Sequence, residues 1–251
     1  QNAGSDANNV AVGFEAGLGL TTGANNTFVG SGAAGNATVT GNANNCVGVN
    51  TLYALTSGAN NTAVGDSAGV SVSSGSNNLL LGHDAGRTGS PGGAMTTINN
   101  RMVLGDENIG VAHIQVALTV ASDERDKTDF VDLDLGLDFV KALEPVTYYW
   151  DKRSKYGDKY ADDYDLNAQT PDGTHKEDWM DIGFKAQSVQ TLEEAAGYTA
   201  AAKKNLTVSL SEDGKQYGLR YEKFVPILVK AIKDQDAIIT ALTARVAALE
   251  S

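Results

Sequence analysis

A short motif recurs through the first half of the chain and limits what that half can fold into. Copies of the form Asn-Asn-x-x-aliphatic-Gly begin at Asn8, Asn25, Asn60 and Asn77, a shortened copy begins at Asn44, and a lengthened copy begins at Asn99. The four full copies are spaced by 17, 35 and 17 residues. A strand of three or four residues cannot bury enough apolar surface alone, so the pattern predicts units that stack into a β-solenoid.

The residues between the copies are typical of turns. Glycine allows a positive φ, and asparagine suits left-handed corners and side-chain ladders. Each unit carries little apolar side chain, which favours burial against further copies of the chain. A flexible, disordered stalk is the alternative for such a composition, but the regular register of the aliphatic positions favours the solenoid.

Composition divides the chain near residue 121. Residues 1–121 hold 21 of the 28 glycines and eight charged residues, none of them lysine, whereas residues 122–251 hold 42 charged residues and both tryptophans. The second half therefore has the composition of an ordinary globular domain. We predict a mainly β repeat shaft over residues 1–121 and an α+β domain over residues 122–251 that ends in a long coiled-coil helix.

Charge and cysteine content exclude several classes of function. The formal net charge of −12 disfavours binding to nucleic acid and to anionic membranes, and no apolar run is long enough to span a bilayer. The single cysteine, Cys46, excludes an intrachain disulfide framework and a cysteine-rich zinc site. We expect no metal or other cofactor. Because the chain begins at Gln1, we expect a fragment or a processed product.

Local patterns in the second half predict an α+β fold. A helix is expected up to Leu143, where Pro145 ends it. Strands are predicted at residues 147–150, 183–187, 206–210 and 217–221, the last two as a hairpin.

A polar, acidic excursion occupies residues 151–181. Asp163, Asp165 and Asn167 begin like a calcium loop, yet Ala168 replaces the required glycine and no glutamate stands at the twelfth position. We therefore predict a solvated surface loop.

The end of the chain carries a heptad pattern over about residues 225–250. Its seam comprises Val225, Leu228, Ile232, Gln235, Ile239, Leu242, Val246 and Leu249. The steps of three and four predict a coiled-coil helix, with Pro226 in its first turn. β-branched residues at one seam position with leucine at the other favour a parallel dimer, a preference that Gln235 weakens. A single amphipathic helix packed on its own domain is the alternative.

Residues 122–127, Ser-Asp-Glu-Arg-Asp-Lys, open the second half. Residues five apart lie about 140° apart on an α-helix and on opposite faces of a strand, so only a turn, a helix start or a partner chain can join Ser122 to Lys127. A serine beside a neutral lysine is a nucleophile with its base. Read from the residues alone, Ser122 as the cap of a helix with Lys127 on its solvated face is the alternative.

The repeats resemble the head repeats of trimeric autotransporter adhesins and the NTAVG-type repeats that precede the tips of many phage tail fibres. This resemblance, carried by about 100 residues, implies a trimeric, β-rich shaft of three parallel chains. It adds three-chain symmetry to the solenoid that the periodicity predicts.

The second half resembles the intramolecular chaperone, self-cleaving domain of phage tail spikes and fibres, the domain that follows phage endosialidases. The opening hexad matches the S-D-x-R-x-K start of that family. Further matching blocks follow in order at residues 133–143, 143–150, 182–187, 217–221 and 224–233. The resemblance therefore spans essentially all of residues 122–251.

This resemblance implies an autoproteolytic serine peptidase with a Ser122–Lys127 dyad. The cut is expected between Ala121 and Ser122, after the domain has guided trimer assembly, with Asp123 and Arg125 in supporting roles. Family members also use a histidine further on, and His175, the sole histidine beyond residue 121, has no match to it.

Together these inferences describe the carboxy-terminal part of a phage tail fibre or tailspike. The expected partners are two further copies of the chain and, for the mature fibre, a receptor or glycan on the host cell surface. The chaperone domain would act in the host cytoplasm during assembly, and the shaft would end in the virion. A non-cleaving structural fibre tip or a trimeric adhesin is the alternative; a bacterial autotransporter is disfavoured because the carboxy-terminal end lacks alternating membrane-anchor strands.

Overall fold

The structure of the chain is a computed structural model that describes residues 7–161, 163–202, 204 and 206–251. Its contacts divide the chain into two compact units. The first holds the described residues up to Ala112 together with Trp150–Asp178 and Leu210–Gln216; the second holds His113–Tyr149, Trp179–Ser209 and Tyr217–Ser251. The linear boundary at residue 121 stays a prediction, and the unit of the repeats includes two segments from later in the chain.

Six short parallel strands form the sheet of the first unit. They are β1 (Val10–Val12), β2 (Thr27–Val29), β3 (Asn45–Val47), β4 (Thr62–Val64), β5 (Leu79–Leu81) and β6 (Met102–Leu104). Their order in the sheet follows the chain, and each pairs in register with the next, so that Val12 lies beside Val29 and Val29 beside Val47. The predicted β-solenoid is therefore confirmed.

The middle residue of each strand points into the solenoid. Phe28, Cys46 and Leu80 are fully buried there, and they join apolar residues of the turns, such as Leu52, in one core. Burial raises the pKa of the Cys46 thiol above its ordinary range, which makes this cysteine a core side chain rather than a reactive one.

A ladder of buried asparagines runs beside this core. The Asn44 backbone N–H donates to Asn26 Oδ1 at 2.9 Å, and the Asn61 N–H donates to Asn44 Oδ1 at 3.1 Å. Each side-chain amide also donates to a backbone carbonyl of the next turn, as Asn44 Nδ2 does to Gly58 O at 2.9 Å. The ladder thus satisfies buried polar groups that would otherwise be costly.

The copy at Asn44 is a full turn rather than a shortened one. In the β2–β3 pairing Asn45 lies beside Thr27, so Ala43 occupies the left-handed corner that Asn25 occupies one turn earlier, with φ values of 56° and 60°. The glycine that ends this copy, Gly48, has a φ of 138°, and an added Cβ would lie 2.4 Å from the backbone oxygen of the next turn. Both corner and glycine follow from close stacking of the turns.

The second unit contains helices and short strands. Its elements are α1 (Leu137–Ala142), the antiparallel pair β7 (Val146–Tyr149) and β8 (Met180–Gly183), α2 (Ala186–Ala195), the two-stranded sheet of β9 (Val208–Leu210) and β10 (Tyr217–Leu219), and α3 (Phe224–Glu250). The strand predicted at residues 183–187 is wrong, because β8 ends at Gly183. Val189 and Leu192, three residues apart, instead face the core from α2.

Helix α3 packs on its own unit over its first turns alone. Phe224, Ile227 and Ala231 are buried, and Asp234 Oδ2 accepts a hydrogen bond from the Leu137 N–H at 3.1 Å. Every seam residue of the heptad pattern, and every residue from 235 onward, is exposed in the single chain. The alternative of a single helix packed on its own domain therefore holds only for the first turns of α3. The heptad seam is left uncovered by the rest of the chain. No helix in the described part of the chain has the length and apolarity to cross a bilayer.

The acidic excursion is mostly exposed, as predicted for a surface loop, but it also packs with the repeats. The segment Trp150–Asp178, which holds most of the excursion, belongs to the compact unit of the repeats, and Ser154 and Leu166 are buried there. In the calcium-loop-like stretch, Asp165 Oδ1 accepts from the Asn167 N–H at 3.1 Å and lies 2.8 Å from Lys215 Nζ.

Candidate functional site

A tight turn brings Ser122 and Lys127 into contact. A short 3₁₀ helix, Glu124–Asp126, separates them, and the Lys127 N–H donates to Glu124 O at 3.1 Å. The turned chain places Lys127 Nζ 2.6 Å from Ser122 Oγ and 3.1 Å from Ser122 O. The sequence allowed a turn, a helix start or a partner chain to join Ser122 and Lys127. In the structure, a turn within one chain joins them.

Asp123 and Arg125 fix the turn between them. Asp123 caps the 3₁₀ helix by accepting from the Arg125 N–H at 2.9 Å, and the Arg125 guanidinium binds both carboxylate oxygens at 3.0 and 2.6 Å. The paired guanidinium holds the pKa of Asp123 below its ordinary range, and the carboxylate raises the pKa of Arg125. The helix cap is therefore Asp123, not Ser122 as the capping alternative required.

The segment around this turn is open to solvent. Ala121, Ser122 and Lys127 are all exposed, and residues 113–121 form no helix or strand. The scissile bond proposed from the sequence thus lies in an irregular, accessible segment, with the serine hydroxyl and the lysine side-chain nitrogen in contact beside it. Their roles as nucleophile and base stay predictions.

The histidine beyond residue 121 has a structural contact. His175 lies edge-on against the ring of Tyr156, with ring centroids 4.8 Å apart, inside the excursion. This contact gives no sign of a catalytic role for His175.

A second constellation of charged groups lies inside the first unit. Asp84, Asp106 and Glu107 are buried, and Lys159 Nζ lies 3.0 Å from Asp84 Oδ2, 3.7 Å from Asp106 Oδ2 and 2.8 Å from Glu107 Oε1. His83 Nδ1 completes the group at 3.3 Å from Asp106 Oδ2. We call these five residues the lysine cluster.

Ordinary electrostatics explains how the cluster titrates. Burial works against the Lys159 charge, but the hydrogen bonds and charges of Glu107 and Asp84 outweigh it and raise the pKa of that ammonium. Burial likewise works against the Asp106 charge, yet hydrogen bonds from Asn108 and His83 hold its pKa below the ordinary range.

The cluster also bears on metal binding. Ligand atoms of His83, Asp84 and Asp106 lie within 4.8 Å of one another, as those of a divalent-ion site would. The Lys159 ammonium, within hydrogen-bond distance of Asp84, already supplies a positive charge there. These side chains therefore form a buried cluster of ion pairs in which Lys159 takes the place that a cation would occupy.

Sequence reasoning did not find the lysine cluster, although a signal was present. Three of the eight charged residues of the repeat half, Asp84, Asp106 and Glu107, stand at its carboxy-terminal end, and that half has no lysine. Acidic side chains in small-residue turns, without a local lysine, indicate a partner from elsewhere in the chain.

Comparison with known proteins gives one family match. The model of the family Peptidase_S74, described as "Chaperone of endosialidase", matches residues 122–198. No curated protein and no solved structure matches the chain. The match supports a chaperone domain of this family in the second half of the chain, and its first residue is Ser122.

Proposed function

We propose that the chain is the carboxy-terminal part of a phage tail fibre or tailspike whose second half is a self-cleaving assembly chaperone. Residues 122–251 bring three chains together and help the β-solenoid shaft to fold. The peptide bond between Ala121 and Ser122 is then cut. Assembly takes place in the host cytoplasm, and the finished shaft serves the virion in contacting a receptor or glycan of the host surface.

One observation carries this proposal. The family match begins at Ser122, and the hydroxyl of that residue lies 2.6 Å from the Lys127 amine. The matched family is named as both a peptidase and a chaperone. Its match begins at a residue whose hydroxyl is in direct contact with a candidate base.

The proposed chemistry uses these two side chains alone. With Lys127 neutral, its Nζ accepts the hydroxyl proton while Ser122 Oγ bonds to the carbonyl carbon of Ala121. The bond from that carbon to the Ser122 nitrogen then breaks, and the lysine returns the proton to the nitrogen. Water hydrolyses the resulting ester, which leaves a carboxylate on Ala121 and a free hydroxyl and amine on Ser122.

Assembly of three chains would complete the site. A lysine amine in bulk water is protonated at neutral pH, so the base role needs removal of Lys127 from solvent. A neighbouring chain packed over the exposed segment would supply that desolvation. Cleavage would then follow assembly, because a lone chain leaves the pair exposed.

The exposed seam of α3 supports the association step. Three of its aliphatic residues, Ile232, Ile239 and Leu242, are more than half exposed in the single chain. Joining three such helices fixes the register of the chains and raises the local concentration of the shafts, whose parallel pairing is otherwise slow. Cutting afterwards leaves a shaft whose stability is largely kinetic.

A denaturing gel of freshly expressed protein tests the cleavage. We expect the wild type to split into residues 1–121 and 122–251, and Ser122→Ala and Lys127→Ala to remain whole. Ser188→Ala and Lys185→Ala, in the same unit but outside the hexad, are the matched controls and should split. An intact wild-type chain in its assembled form would refute self-cleavage and select the non-cleaving fibre tip.

A further inference from the structure

The repeats and part of the chaperone half fold as one compact unit. The segments Trp150–Asp178 and Leu210–Gln216 lie beyond the proposed cut, yet they pack with the solenoid rather than with the remainder of their own half. We call these two segments the clamp. The bond after Ala121 takes part in none of the clamp's contacts described below.

The first clamp contact is the lysine cluster. Lys159 comes from the clamp, whereas Asp84, Asp106 and Glu107 come from the last turns of the solenoid. The Lys159 side chain is only 13% exposed. Buried carboxylates that lose their counter-ion are strongly destabilised, so withdrawal of Lys159 is costly.

The repeat half cannot replace this ammonium. It contains no lysine, and Arg87, the arginine beside the cluster, already pairs with the other oxygen of Asp84 at 2.9 Å. Two lysines of the clamp bind Glu107. Lys159 pairs with its carboxylate, and Lys152 Nζ donates to its backbone oxygen at 3.0 Å. The solenoid therefore presents an acidic pocket suited to a primary ammonium.

The second clamp contact is the turn between β9 and β10. Asp213 Oδ2 accepts from the Ala94 N–H at 3.2 Å, and Glu212 Oε1 accepts from Thr97 Oγ1 at 2.8 Å. The glycine before Ala94 allows this approach, because a Cβ on Gly93 would lie 2.6 Å from Asp213 Oδ1. Two separate stretches of the second half thus bind the last turn of the solenoid.

We propose that the clamp keeps the cut chaperone fragment, residues 122–251, bound to the shaft. The partner of the acidic pocket is then the fragment's own Lys159, and the break at Ala121 removes the covalent link without releasing the fragment. This inference rests on the proposed self-cleavage for its biological setting. Its physical content, retention across a break in the chain, holds for any cut in residues 113–121.

The test separates retention from self-cleavage. A specific protease site is inserted into the exposed residues 113–121 of the full chain carrying Ser122→Ala, and the purified protein is nicked there. We expect both pieces to elute together on size exclusion at micromolar concentration. In the Lys159→Met chain we expect the pieces to separate, with a dissociation constant raised roughly 100-fold. Lys141→Met, at an exposed lysine of α1, is the matched control and should retain the fragment.

Two results would overturn retention by the clamp. One is a nicked parent chain whose pieces elute apart, and the other is a Lys159→Met chain that holds its fragment as tightly as the parent. Should Lys159→Met fail to fold, the Glu212→Ala/Asp213→Ala chain replaces it, and an unchanged dissociation rate there would also refute the clamp. Neither result depends on whether the wild type cuts itself.

Discussion

Lys127 Nζ and Ser122 Oγ lie 2.6 Å apart although neither an α-helix nor a strand would bring residues five apart together. The 3₁₀ turn at Glu124–Asp126 achieves it, and the Asp123–Arg125 ion pair holds that turn. A contact made by so local a device exists before any partner chain arrives. What a partner would add is exclusion of water.

Lys127→Arg distinguishes a base from a structural donor. Arginine keeps the positive charge and the hydrogen-bond donors, but it is not deprotonated in proteins. We expect cleavage, followed by densitometry of denaturing gels over time, to slow by at least about 100-fold. Lys185→Arg should cleave normally, and a Lys127→Arg chain that cleaves at the wild-type rate would exclude lysine as the base.

A neighbouring pair of isoleucines tests the seam of α3. Ile239 lies on the seam and Ile238 beside it, with exposed fractions of 53% and 51%. Ile239→Glu would bury a charge between the helices of the proposed trimer, so we expect light scattering to show a molar mass below that of three chains, whereas Ile238→Glu should keep the mass of three chains. Equal masses for the two variants would argue against this seam.

The asparagine ladder predicts a difference between buried and exposed asparagines. Asn44→Ala removes the acceptor of the Asn61 N–H and the donor to Gly58 O, both buried, and should lower the free energy of unfolding by about 2–4 kcal/mol. Asn42→Ala removes one exposed hydrogen bond to the Ala24 N–H and should cost less than about 1 kcal/mol. Urea unfolding measures both; similar losses would mean that the ladder is not stabilising.

Asp106 gives the lysine cluster a dependence on pH. Because its folded pKa is lowered, its ionised form stabilises the fold above the ordinary value near 4, and this contribution is lost as pH falls through the folded value. The pKa of Lys159 is raised, so its contribution persists up to about pH 10 and is lost above that. We expect Asp106→Asn to lower the melting temperature at pH 7 and to have a smaller effect at pH 3. An equal loss of melting temperature at pH 7 and pH 3 would mean that Asp106→Asn acts through packing rather than through the charge.

The solenoid could be predicted from sequence because its information is local and repeated. The aliphatic residue that follows each asparagine pair defined the strands, and asparagine was expected at left-handed corners and in ladders, where Asn25 and Asn44 lie. The register of the copy at Asn44 was missed, since Ala43 fills a corner that asparagine fills elsewhere.

The clamp could not be predicted in the same way. Lys159 and Asp84 are 75 positions apart in the sequence, and no periodic pattern relates them. The sequence therefore gives no sign that the excursion packs with the solenoid. The strand expected at residues 183–187 failed for another reason, because a short apolar run suits a strand and the start of a helix equally. The helical pattern continues to Ala195, which is long enough for α2 and too long for a typical strand.

The in-register stacking of the turns has a further consequence for the fibre. Each turn offers its successor the same asparagine amide and carbonyl groups that it receives from its predecessor. A whole turn could therefore be added or removed without altering the surfaces at either junction. The length of the solenoid could then change in steps of one strand spacing, about 4.8 Å, while its cross-section stays constant.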